Sequence, residues 1–242
     1  MPSFQNPSMT AQGKDENFIL QLSRGHVANH EVRNIFGYQA NVTTSFIPAW
    51  EYANAYVFPD SALKMTVNST SANDNTAVVR INGLDADYRE ITETVVVNTV
   101  SPNQTTQEFL RINDVLYLSG GGNKGEIKVS NNTHNYAAIR IGDGRNQASI
   151  YTVPADKCFF LYRIDAFSND STAAKPGLFK NVSISNANVV FDVARTTFNG
   201  NMNIQRQLPF KYVEKTDIQF QLSTFSGTHE MNVFAEGILI DD

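Results

Sequence analysis

The sequence predicts an all-β protein, and three observations lead there. The charged share is 18% against a hydrophobic share of 41%, so the polar surface must come from Asn, Gln, Ser and Thr, which favour turns and strand edges over helix interiors. Aromatic residues make up 11% and accompany many Val and Ile, side chains that suit a pleated, half-buried surface. From about residue 50 onward, short alternating apolar runs recur roughly every ten residues between turn signals, the spacing of a sandwich or barrel. A chain of 242 residues has room for one large β domain or two smaller ones, each with a real core.

Taken in order, residues 1–17 are polar and without period, and 18–48 carry scattered apolar positions with only a weak helical possibility at 26–35. Residues 1–45 therefore read as an extended docking arm, with room for one short strand within 18–48. Its apolar side chains Phe18, Ile19, Leu20, Leu22, Ile35 and Phe36 would sit against a partner. At about 3.3 Å per residue such an arm could reach on the order of 150 Å. "ALKMTVNS" puts Leu63, Met65 and Val67 on one face, and "AVVRING" and "ITETVVVN" flank an acidic stretch. "EFLRIND", "VLYLSGGGNKGEIKVS" and "YAAIRIGDGRNQASIYTV" continue the pattern. Pro154 in "YTVPADK" interrupts it, marking a boundary between a sandwich at 46–152 and a second at 153–242. In the second, "DIQFQLST" predicts Ile218, Phe220 and Leu222 inward with Asp217, Gln219 and Gln221 outward.

Charge and motifs narrow the function. The net charge is −5 and there is no basic tract, so phosphate-backbone binding has no electrostatic source and nucleic acid is not an expected partner. No apolar run approaches the ~20 residues of a membrane-spanning helix, and the N-terminus lacks the pattern of a secretory signal. The single cysteine, Cys158 in "KCFFLYRI", reads as a buried small apolar residue. Asp85, Asp87, Glu90 and Glu93 resemble a calcium loop only superficially. Position 5 of such a loop would be Arg89 and position 12 Val96, so the stretch reads as the turn of a solvated hairpin, with Glu93 facing outward. His26 and His30 have the helical spacing of two metal ligands, but Val27, Ala28 and Asn29 between them include no general base. "SGGGNKGEI" lacks the order of a phosphate loop because Lys124 precedes Gly125, and its glycines, like those of "GDGRNQ", fit hairpin tips. There is no G-x-S-x-G elbow, and Cys158 sits in an apolar strand. No catalytic, cofactor or metal residues are expected, and the chain reads as non-enzymatic.

The runs "GLDADYREITETVVV", "FLRIND", "GEIKVS" and "AAIRIGDGRNQASIYTVPADK", with upstream "RNIFGYQANV" and downstream "LPFKYVEKTDIQFQLST", resemble β-rich virion structural proteins of tailed, especially marine, bacteriophages. The resemblance spans residues from about 30 to 242 and rests on strand and turn patterns, so it carries over no functional residues. It implies an antiparallel β-sandwich protein, jelly-roll-like, of the head decoration, head fibre or tail appendage type. Such a protein would be assembled in the host cytoplasm, would form a homo-oligomer and would dock on other virion proteins, with no cofactor and no membrane. The alternative is a tail adhesin that recognises a host receptor or glycan. It would call for clustered aromatics near 168–178 and 198–204, where the sequence offers mainly Phe198.

Overall fold

The computed structural model describes residues 18–131, 133–170, 176–185 and 190–241. The chain begins with α1 (Phe18–Ser23), β1 (His30–Val42) and β2 (Ile47–Pro48). It continues through β3 (Leu63–Ser69), β4 (Val78–Leu84), β5 (Glu90–Val96), β6 (Asn103–Phe109), β7 (Arg111–Tyr117), β8 (Ile127–Ser130) and β9 (Asn135–Ile139). It closes with β10 (Ile150–Thr152), β11 (Lys157–Ser168), β12 (Gly177–Ile184), β13 (Val190–Phe198), β14 (Asn201–Tyr212), β15 (Asp217–Thr224) and β16 (His229–Asp241). The fold is all-β and antiparallel, in four sheets.

Two of these sheets form one sandwich, with orders β1-β16-β11-β14 and β10-β15-β12-β13. β2 joins the second beside β10: Ile47 and Pro48 pair with Leu222 and Gln221, and Ile150 to Thr152 pair with Gln219 to Asp217. Both therefore lie along the same edge of β15, on successive residues. Ala49 donates its N–H to the Phe220 carbonyl and Ser149 donates to Ala49, which closes the seam. β2 and β10 are thus two halves of one strand. Counted so, the first of eight strands lies beside the eighth, the second beside the seventh, the third beside the sixth and the fourth beside the fifth. That is the wrapping of a jelly roll.

The remaining strands, β3 to β9, are inserted in that interrupted strand and close into their own sandwich, with sheets β6-β3-β8-β9 and β5-β4-β7. The change from one core to the other is abrupt. Ala49 belongs to the jelly-roll core with Phe159, Phe179 and Phe220, whereas Trp50 belongs to the inserted core with Met65, Ile81 and Ile127. The jelly roll is therefore discontinuous, built from residues 30–49 and 149–241, and the insert is the continuous stretch between them.

This corrects the expected organisation in two places. Residues 30–42 are not an arm. They are a strand paired with β16 from His30↔Ile240 to Gln39↔Met231, and Ile35 is only 5% exposed in the jelly-roll core. The boundary is also not a single cut at 152/153, because the chain crosses between the sandwiches twice. Residues 1–17 of the expected arm lie outside the described residues. The weak helical signal at 26–35 is instead a turn followed by strand; the helix lies upstream at Phe18–Ser23.

Candidate functional site: the junction and cleft between the sandwiches

The inserted sandwich rests on the jelly roll through a buried ion pair. Arg111, the first residue of β7, donates from Nε and Nη2 to the two carboxylate oxygens of Asp217 on β15, at 2.8 and 2.9 Å. Its Nη1 donates to the carbonyls of Pro59 and Leu110, and its guanidinium lies 4.7 Å from the centre of the Phe58 ring. Thr152 Oγ1 donates to the same Asp217 oxygen as Arg111 Nε, at 2.5 Å. Burial works against the Arg111 charge, but the Asp217 carboxylate outweighs it and holds the pKa above the ordinary value. A fork-to-fork pair with its other donors satisfied fixes orientation as well as contributing energy. Beside it, Asn113 and Thr152 exchange two hydrogen bonds, Asn113 Nδ2 to the Thr152 carbonyl at 3.0 Å and Thr152 N–H to Asn113 Oδ1 at 2.9 Å.

The acidic stretch proves to be a hairpin that clasps the jelly roll. Asp85 Oδ1 accepts the N–H groups of Asp87 and Arg89, which fixes the β4–β5 turn. Tyr88 there adopts φ of 65° and accepts a backbone hydrogen bond from Ala155 of the jelly roll. Glu90 forms ion pairs with Arg33 of β1 and Lys157 of β11, each at 2.9 Å. Burial lowers the Lys157 pKa, but Glu90 and Asp241 together leave it raised. Glu93 departs from the expected outward facing. It is half-buried on the side of Ile91 and Val95 and accepts the N–H groups of Thr106 and Gln107, so it ties β5 to β6. Among the described residues, no three His, Cys, Asp or Glu side chains are grouped to hold a metal ion.

The two crossing segments meet at Glu51 and Gln147. Glu51 accepts the Gln147 N–H, while its other carboxylate oxygen is buried without a hydrogen-bond partner. Burial pushes its pKa up to about 7, only partly offset by the Gln147 bond and by Arg140. Arg140 spans the same seam, donating to the carbonyls of Tyr38 and Trp50 at 3.1 and 3.3 Å.

Between β1, the hairpin and the return crossing lies a cleft of about 500 Å³. Five consecutive β1 residues, Val32 to Phe36, line it, so it faces the unpaired edge of β1 rather than one face. Opposite stand Asn82, Thr92 and Asp114. Asn82 donates to Asp114 at 3.3 Å and accepts from Thr92 Oγ1 at 3.0 Å. Arg145 pairs with Asp114 at 3.0 Å. Tyr151 is 5% exposed. Its hydroxyl lies against the Arg33 guanidinium, and neither it nor Arg33 Nε makes a well-aligned hydrogen bond. Burial raises the Tyr151 pKa well above the ordinary phenol value.

The residues expected to form one docking surface are dispersed. Phe18 and Leu20 are exposed on α1, at 43% and 49%. Leu22 is buried, Ile35 is core and Phe36 lines the cleft; Ile19 also lies in α1. Of the junction residues, Arg111, Asn113 and Glu51 are not singled out by the sequence, and Asp217 reads there only as an outward-facing position, because their partners lie 39 to 106 positions away. The one available signal was a lone Arg at the head of "RINDVLY". Cys158 is buried, as expected. His26 and His30 share no helix; His30 Nδ1 lies 2.8 Å from the Ala28 carbonyl. The glycines of "SGGGNKGEI" lie in a crossing between the insert's two sheets rather than at a hairpin tip, with φ of 84° at Gly121 and 68° at Gly122. The loop does cradle an anion, but an internal one: Lys124 and Gly125 each donate an N–H at 2.7 Å to the carboxylate of Asp74. Burial opposes that charge, but these bonds and the Ser69 hydroxyl hold its pKa below the ordinary value.

No protein-family model matches the chain, and no curated protein matches it by sequence. Among solved structures, it is similar to a chain from infectious bursal disease virus, Gx strain, at 8% identity and a TM-score of 0.26, covering 88% of this chain and 72% of that one. It is likewise similar to a chain from the infectious bursal disease virus VP2 subviral particle, at 10% identity and a TM-score of 0.20, covering 93% and 82%. Similarities this low carry no argument about function.

Proposed function

We propose that this chain is a non-enzymatic structural protein of a virion, of the tailed-phage type that its sequence resembles, in a capsid-decoration or fibre-base role. The observation that carries the reading is the jelly-roll wrapping with a second sandwich inserted in one strand. Jelly rolls recur in viral capsid and lectin domains, so the support is analogy at the level of fold. The architecture suits the role physically. Both cores form without a disulfide, since the chain has a single cysteine, Cys158, buried in β11, which suits assembly in a reducing cytoplasm. The expected arm shrinks to the residues before β1, and among the described residues the exposed Phe18 and Leu20 of α1 are what it offers for contact with neighbouring virion subunits, including other copies of the chain. The test is localisation. Antibody against the purified protein should decorate intact particles, and added protein should be taken up by particles that lack it. A chain found only in infected-cell lysate and absent from purified particles would refute the reading. The adhesin alternative keeps one supporting feature, the polar cleft, and antibody confined to the tail tip would favour it.

A further inference from the structure

We propose that the cleft between the two sandwiches is a binding site for a neutral, polyhydroxylated ligand of the monosaccharide class. The first argument is charge. Both guanidiniums at the cleft are already matched by carboxylates, Arg33 with Glu31 at 3.1 Å and Glu90 at 2.9 Å, and Arg145 with Asp114 at 3.0 Å. An anion would have to compete with these carboxylates for the same donors, and a cation would meet the arginines. A neutral ligand meets neither obstacle.

The second argument is the alternation of donors and acceptors. Thr92, Asn82, Asp114 and Arg145 form a continuous hydrogen-bonded row, Thr92 to Asn82 at 3.0 Å, Asn82 to Asp114 at 3.3 Å and Arg145 to Asp114 at 3.0 Å. Carboxamides offer both donors and acceptors, carboxylates accept and guanidiniums donate, which suits vicinal hydroxyls that each do both. Asn34 adds an exposed carboxamide from β1 across the cleft, while Phe36 and Ile91 supply apolar surface for the C–H face of a ring. On the inner wall, the Arg33 guanidinium lies between Glu31, Glu90 and the Tyr151 hydroxyl, which holds it in place.

The third argument is that the walls are held in place. The cleft lies between domains, a common location for ligand sites, and the Arg111–Asp217 pair and the Asn113–Thr152 exchange fix one wall relative to the other. Its volume, about 500 Å³, accommodates one or two sugar rings.

The proposal concerns the cleft alone and stands whether the protein belongs to head or tail. The experiment uses the full chain and saturation-transfer NMR with glucose, galactose, mannose and N-acetylglucosamine as separate probes. At least one should receive saturation from the wild type. Asn34→Trp, a change at an exposed position that fills the cleft, should reduce the signal at least tenfold with the melting temperature unchanged, and Asp114→Ala should weaken it independently. Absence of transfer to all four sugars would overturn the proposal, as would transfer that survives both substitutions. A melting shift with inorganic phosphate that Asn34→Trp abolishes would overturn the neutral class.

Discussion

The two sandwiches share an architecture and differ in how the chain makes them. The insert is one continuous stretch of short strands, four to seven residues each, around a core of Val and Ile with an edge-to-face aromatic cluster at Trp50 and Tyr56. The jelly roll has strands of up to thirteen residues and a core in which Phe179 stacks on Phe220 with ring centres 6.3 Å apart. It also joins strands from opposite ends of the sequence, since β1 and β16 pair residue 30 with residue 240. The insert can close on itself, whereas the jelly roll needs both ends of the chain and must bridge the insert as a loop. Non-local pairing of this kind raises the entropic cost of closure and slows folding.

Breaking that closure should have the largest effect. A chain beginning at residue 46 loses β1 and leaves β16 as an unpaired edge, and Ala235 in the core loses its register partner Ile35. We expect the jelly-roll melting transition to disappear while a transition from the insert remains, as read by calorimetry. A truncated chain that keeps both transitions would show β1 to be dispensable.

Next in size is Phe220→Ala at the centre of β15, where the ring is fully buried. The expected loss is about 4 kcal/mol in denaturant unfolding, the range for deleting a buried aromatic. A loss below about 1 kcal/mol would contradict the packing.

The coupling between the halves should be smaller. Arg111→Met strands the Asp217 carboxylate in a buried site and should cost about 3 kcal/mol. Adding Asp217→Leu should recover most of it, since apolar groups can replace both members of a buried pair at little cost. A double variant no better than the single would mean that the pair is not the source of the loss.

A pH-dependent effect of similar size sharpens the account of the crossing. Glu51 has a folded pKa of about 7 against an ordinary 4.5, so between these values the folded state holds a proton that the unfolded state has released. Stability should therefore fall as pH rises through that window and level off above about pH 7. The total loss would be on the order of 3 kcal/mol, about 1.4 kcal/mol for each pH unit between the two values. Glu51→Gln should flatten this slope, and an unchanged slope would place the titrating group elsewhere.

The contrast also explains what could be read from sequence. The insert strands and β15 alternate cleanly, and Ile218, Phe220 and Leu222 do face the core. Yet Asp217 and Gln219, read as solvent-facing, are 5% exposed, and Asp217 is held by Arg111 of the insert. A period of two reports which side a residue faces, not whether another domain covers that side. β1 was missed for a related reason. Its inward positions after Ile35 are Gly37 and Gln39, which carry no apolar signal. Gly37 is required because a Cβ there would lie 2.3 Å from the Ala49 carbonyl, and Gln39 because its carboxamide donates to the Trp50 carbonyl at 2.8 Å. Both residues serve the crossing into the insert, so the junction itself hides the strand. The cleft was illegible because its walls come from segments more than fifty residues apart, such as Arg33 and Glu90.

Amide hydrogen exchange resolved along β1 tests the central claim most directly. If β1 is a strand of the jelly roll, the amides of 30–39 that bond to β16 should exchange as slowly as their partners between Met231 and Ile240, and both should be released together in the jelly-roll transition. Rapid exchange throughout 30–39 beside a protected β16 would contradict it and restore a free N-terminal arm.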